Sequence, residues 1–200
     1  MEEIIHEIGD PELRAQVERV ASFHGHLSTG AFVGIQMLNL ARRVLDLSKE
    51  VRLFVICETY NCLPDPFQVL AGCTIGNKGL RIRDHGKMAA TVSPRGPSGG
   101  LVKAVRIILD PAKTAKYPRL HSWFMKTCKI SHLEAISVLI EAEESVYTWK
   151  FPRSQRRLSG YAGAVARASF RNTMNCSASP ALILLSSKVA LQARVLLRRI

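Results

Sequence analysis

Three Asp-Pro dipeptides, at 10–11, 65–66 and 110–111, punctuate the chain, and β-branched apolar runs lie between them. An aspartate ahead of a helix accepts hydrogen bonds from the first free amides. Proline in the first turn sacrifices nothing, because its missing N–H has no partner there. Asp10-Pro11 therefore opens a first helix, with Leu13, Val17 and Val20 at helical spacing. This helix is expected to stop before Phe23-His24-Gly25-His26, and a second to run from Thr29-Gly30 to about Leu47 with Ile35, Leu38, Ala41 and Leu45 on one face. Val51 to Cys57 reads as a buried strand. Asp65-Pro66 opens a short helix to about Ala71, which Gly72 terminates. Leu80–Arg83 and Lys87–Val92 read as a hairpin across Asp84-His85-Gly86, Leu101–Leu109 as a further strand, and Asp110-Pro111 as another helix start. Ser131 and Glu134 have capping-box spacing and open a helix to about Val146. The implied fold is α+β, a mixed sheet with flanking helices in one core domain.

The 200 residues suit a core of about 150 residues with an appendage, divided here as 1–150 and 151–200. Charge separates the two. Residues 1–144 hold 18 Lys+Arg against 16 Asp+Glu, whereas residues 145–200 hold 10 basic residues and no acidic one. Nearly all of the net charge of +12 therefore belongs to the last quarter, as in an interaction tail or a solvated face. Beyond Pro152 the pattern supports no assigned structure. No apolar run reaches the ~20 residues of a membrane span; Ala181–Leu185 is broken by Ser186, Ser187 and Lys188. Glu2, Glu3 and His6 are unlike the basic start of a signal peptide, so a cytoplasmic location is expected. Five cysteines (57, 62, 73, 128 and 176) are then core residues, reactive thiols or metal ligands rather than a disulfide framework.

Reactive side chains concentrate in three segments. In Phe23–Gly30, His24 and His26 would diverge by about 200° on a helix but point the same way in an extended stretch. The glycine between them lets a ligand approach the backbone; the competing reading is a surface or core-satisfied pair. In Cys57–Gln68, Cys62 lies just before a helix N-terminus, where amides and the dipole favour a thiolate, whereas Cys57 belongs to the apolar strand. In Ala71–Gly79, Cys73 follows the same short helix. Cys62 and Cys73 are too far apart in sequence for a zinc knuckle and meet only if that helix folds back. With His24 and His26 they would make an N/S set suited to zinc or another divalent transition metal.

These segments, with Arg83-Asp84-His85-Gly86-Lys87 after them, resemble the successive signatures of the FmdE family, named for the E component of formylmethanofuran dehydrogenase. The family's F-H-G-H-x-C-P-G, C-x-x-D-A-[IV]-Q, G-C-T-x-G and D-x-G-K patterns fall in order on Phe23–Gly30, on Cys62, Asp65 and Gln68, on Gly72-Cys73-Thr74 with Gly76, and on Asp84 with Gly86-Lys87. The resemblance covers about residues 12–150. It implies an α+β core, a homodimer, and a metal cleft built from His24, His26, Cys62 and Cys73. Ser28, Asp65, Gln68, Thr74, Asp84 and Lys87 would line that cleft, with Asp65 capping its helix and orienting the ligands, and Gln68 and Lys87 binding an anion. It also links the chain to the molybdenum or tungsten enzyme of methanogenesis-type one-carbon metabolism, whose other subunits are the expected partners and whose catalytic centre lies in those subunits.

Two departures from the family pattern stand out. Ser28-Thr29 replaces the family's Cys-Pro, removing a soft ligand. Many relatives also carry a C-terminal zinc module with paired C-x-x-C motifs, and Cys176 alone cannot build one. The acid-free end then has two explanations: a reading frame that departs from the ancestral one after about Tyr147, or a true basic tail for an acidic partner protein or nucleic acid. Intact mass and gene resequencing separate them. The leading expectation is a metal-binding FmdE-like protein of the formylmethanofuran dehydrogenase system, with nucleic acid and membrane not the expected partners. The alternatives are a non-catalytic docking subunit with a degenerate metal site, or a nucleic-acid binder through the tail. Trp123 and Phe124 are expected in the core, and Cys128 as a buried residue or free thiol.

Overall fold

The computed structural model describes residues 5, 8–96 and 103–152. The chain divides into two units, Met1–Arg156 and Arg157–Ile200, so the expectations for the basic end lie outside the described residues from 153 onward. The elements of the first unit are α1 (Pro11–His24), α2 (Thr29–Leu45), β1 (Leu53–Cys57), α3 (Asp65–Ala71), β2 (Leu80–Ile82), β3 (Ala89–Pro94), β4 (Val105–Leu109), α4 (Pro111–Thr114), α5 (Pro118–Met125), α6 (His132–Ala142) and β5 (Tyr147–Lys150). Their arrangement is α+β. No helix among the described residues is long and apolar enough to cross a membrane.

The strands form one mixed sheet in the order β2-β1-β3-β4-β5. β1 pairs in parallel with β2, and the other neighbours are antiparallel. The expected hairpin between β2 and β3 does not form, because β1 lies between them. Val55 opposes Leu80 on one side and Val92 on the other. β1, largely buried along its length, takes an interior position with β2 on one side and β3 on the other. The turn after β2 instead wraps the end of β1: Arg83 N–H donates to Cys57 O, and the His85 and Lys87 amides donate to Glu58 O.

One sheet face, with Val55, Cys57, Val92, Val105, Ile107 and Leu109, joins a core with Phe32, Ile35 and Leu38 of α2. Polar pairs fix the layers laterally. Gln16 of α1 exchanges hydrogen bonds with Asn39 of α2. Gln36 of α2 donates to Leu139 O and accepts from the buried Tyr147 hydroxyl, tying α6 and β5 to the same helix. The short α3 packs closely against α2: a Cβ on Gly34 would lie 2.7 Å from Leu63 O and 2.9 Å from Pro66 Cγ. Arg19 of α1 donates to Val69 O of α3. These contacts bring the ends of α1, α2 and α3 together.

Candidate functional site

α1 runs through Phe23 and His24, and Gly25 ends it in the left-handed conformation at φ 89°. His26 is thereby turned back, and its ring centroid lies 4.9 Å from that of His24. The two histidines converge through a helix C-cap rather than through an extended stretch. Three residues of a tight turn achieve what the alternating geometry of a strand was expected to do.

Asp65 orients His24. The His24 Nδ1–H donates to Asp65 Oδ2 at 2.6 Å, and Gln68 Nε2 donates to the other oxygen at 3.2 Å. Asp65 does not cap its helix. Pro64 occupies the N-cap position of α3 with no side-chain bond, and Asp65 begins the helix with its carboxylate aimed at α1. In neutral His24 this leaves the lone pair on Nε2, the arrangement of a histidine held by a carboxylate on its far nitrogen. With side-chain exposures of 16% and 23%, the pair is partly shielded yet reachable.

The start of α2 brings in a residue that sequence reasoning missed. Ser28 is buried and caps α2, its Oγ accepting from Ala31 N–H at 3.2 Å. The serine in the family's cysteine position is thus committed to the helix end. The next residue, Thr29, contacts His132 twice: its N–H donates to His132 Nδ1 at 3.2 Å, and its Oγ1 lies 2.8 Å from the same nitrogen. The His132 and His26 ring centroids are 5.9 Å apart. Partial burial, then the neighbouring His26 and His24, hold the His132 pKa below the usual histidine value. His132 follows the N-cap serine of α6, so locally it reads as an ordinary first-turn residue. Its partner is 103 residues away, and no sequence signal links them.

The thiols are distributed differently. Cys62 is half-buried beside α2, where a Cβ on Gly30 would lie 3.2 Å from its Cβ and 3.9 Å from its Sγ. Cys73 is buried, and its thiol donates to Leu53 O at 3.4 Å. Burial pushes its pKa up to about 11, and that of Cys57, wholly inside the core, further still. Thr74 and Asn77 close a turn of their own: Thr74 N–H donates to Asn77 Oδ1, Asn77 N–H donates to Thr74 Oγ1, and Asn77 Nδ2 donates to Gly72 O. Asp84 accepts from Gly86 N–H in an exposed turn that also holds Lys87. Trp123 and Phe124 pack on the core as expected, whereas Cys128 is exposed. On the sheet, Arg106 forms a two-bond pair with Glu58 at 2.6 and 2.8 Å, which holds the Glu58 carboxyl below its usual range.

Tested as a metal centre, the imidazole half of the expected set fits: His24 Nε2 is oriented by Asp65, and His26 lies beside it. The thiol half is divided: Cys73 is buried with its thiol bonded to Leu53 O, whereas Cys62 is half-buried beside the start of α2. Among the described residues, no three His, Cys, Asp or Glu side chains are gathered to hold a metal ion. The site presents an oriented imidazole lone pair at His24, a second imidazole at His26, and the His132 ring bonded to the start of α2.

Comparison with known proteins agrees with this architecture. A family model described as "FmdE, Molybdenum formylmethanofuran dehydrogenase operon" matches residues 23–153. The crystal structure of a tungsten formylmethanofuran dehydrogenase FmdE-like protein from Syntrophus aciditrophicus superposes with a TM-score of 0.59 at 27% identity, covering 71% of this chain and 72% of that one. A probable S-adenosyl-L-methionine-binding protein of Archaeoglobus fulgidus is 32% identical over 105 residues. That match takes in 50% of this chain and only 28% of the relative's length.

Proposed function

The chain belongs to the FmdE family, whose model matches residues 23–153, and on that premise we propose that it is a metal-binding FmdE-like protein. His24 and His26 supply the imidazole donors. Cys62, in the loop that leads to Asp65, is the thiol offered to the set. Asp65 and Gln68 hold His24 in position, and Cys73 serves the core. When bound, a divalent transition metal such as zinc would supply Lewis acidity at this surface. The observation that carries the reading is the 2.6 Å contact between His24 Nδ1 and Asp65 Oδ2, which supports Nε2 as the nitrogen available to a metal. We further propose that the protein works beside molybdenum or tungsten formylmethanofuran dehydrogenase subunits, a reading supported by the operon named in the family description, and that it does so as a homodimer.

The test is metal content of the full chain purified without affinity metals. About one zinc per chain, lost in His24→Gln, is the expected result; zinc retained in that variant would refute the assignment. A second reading, a docking subunit with a degenerate site, is favoured by Ser28, whose hydroxyl caps α2 where the family has a thiol. It predicts no bound metal in wild type, together with retained association with the partner subunits.

A further inference from the structure

His132 is absent from the motifs that mark the family resemblance, yet its bonding defines what it can do. A backbone N–H can only donate, so the contact from Thr29 N makes His132 Nδ1 an acceptor. Nδ1 of neutral His132 therefore carries the lone pair and Nε2 carries the proton. A metal would need the lone pair on Nε2, so the ring is set up as a donor and not as a ligand. His24 is held in the opposite tautomer, with Nδ1–H directed to Asp65. Two histidines that flank His26 thus present opposite functions, a lone pair from one and an N–H from the other.

The surroundings favour an anionic acceptor for that N–H. Thr29 is the first residue of a 17-residue helix, so the amide bonded to Nδ1 belongs to the positive end of the α2 dipole. A donor bonded to one ring nitrogen polarises the ring and strengthens donation from the other. Asp65, the carboxylate bonded to the cluster, has both oxygens engaged, one by His24 and one by Gln68. His26 and His132 are exposed, so a small molecule can reach them.

We propose that His132 Nε2–H is a binding donor for a carboxylate oxygen of the molecule held at His24 and His26. The inference deepens the metal-site reading and rests on it for the location of the ligand. A neutral imidazole polarised by a helix terminus is an established way to stabilise charge on a carbonyl or carboxylate oxygen. His132 would thus contribute by orienting the ligand and stabilising charge on its oxygen, without titrating.

The test uses the full chain, imidazole nitrogen NMR, and acetate as the probe, with and without one equivalent of zinc. The expected tautomers are Nε2–H for His132 and Nδ1–H for His24. Acetate should perturb the His132 Nε2 signal. His132→Leu should weaken acetate binding about tenfold or more, and His132→Gln, which keeps an N–H donor, should recover most of it. A His132 Nδ1–H tautomer, or acetate binding equal in wild type and His132→Leu, would overturn the proposal. So would an absence of acetate binding in both zinc states. Zinc binding is read separately in the same samples from the His24 Nε2 signal. Failure of the metal reading is therefore distinguishable from failure of the acetate reading.

Discussion

The stretches around His24 and around Cys73 carry two signatures of the same family, and the fold uses them in opposite ways. In the Cys73 turn the polar groups satisfy one another. The thiol donates to Leu53 O, Asn77 accepts from the Thr74 and Gly79 amides, and its Nδ2 closes on Gly72 O. Around His24 the hydrogen bonds do not close. Asp65 engages one ring nitrogen and leaves the other for a ligand, while His26 stands exposed. The comparison teaches that two signatures of one family can differ in how far the fold closes over them: burial raises the Cys73 pKa, while His26 stays exposed.

The largest expected difference is in thiol reactivity. A pKa raised from 9.0 to about 11 leaves Cys73 with about a hundredfold less thiolate than an ordinary thiol near pH 8. Peptide mapping after alkylation should show exposed Cys128 modified first and Cys57 and Cys73 last. Cys73 labelled as fast as Cys128 would erase the contrast between the two regions.

A pair of glycines sharpens it. An alanine Cβ at Gly34 would press on Leu63 O at 2.7 Å, and one at Gly79 on Asn77 Oδ1 at the same distance. Each substitution should destabilise by about 1–3 kcal/mol in denaturant titrations. Gly34→Ala, which wedges α2 away from the loop of Cys62 and Asp65, should also weaken zinc binding, and Gly79→Ala should not. Asn77→Ala, which strips three hydrogen bonds from the turn, should cost about 1–2 kcal/mol while leaving zinc affinity unchanged.

The smallest effect is a pH control outside both regions. The folded-state pKa of Glu58 is lowered by its pair with Arg106, so that pair's stabilisation is complete above the ordinary carboxylate range. It is lost as pH falls through the lowered pKa. Glu58→Gln should flatten the acid limb of stability against pH; an unchanged acid limb would show that the pair contributes nothing to it.

What was legible in the sequence was local, as the three Asp-Pro dipeptides show. Asp10 and Asp110 cap their helices through the amides of Glu12 and Ala112, each at 2.9 Å. The Ser131–Glu134 capping box likewise forms as its spacing requires. Asp65 has the same local sequence, but its carboxylate goes to His24, 41 residues away, and the cap is forfeited. The hairpin failed for the same kind of reason. Asp84 and Gly86 do form the turn, but which strand β2 joins was decided by β1. β5, four residues long, carried no periodicity of its own and depends on β4 for its place. His132 was hidden because its role comes entirely from Thr29 and His26, which only the tertiary fold places beside it.

The central claim is that His24 with Asp65, and not Cys73, makes the site. Zinc dissociation constants for wild type, Asp65→Asn and Cys73→Ser, measured side by side on the full chain, test it most directly. Loss of an orienting partner typically weakens metal affinity about 10–100-fold, and that is the result expected for Asp65→Asn, with Cys73→Ser matching wild type. Zinc binding abolished in folded Cys73→Ser but intact in Asp65→Asn would contradict the account.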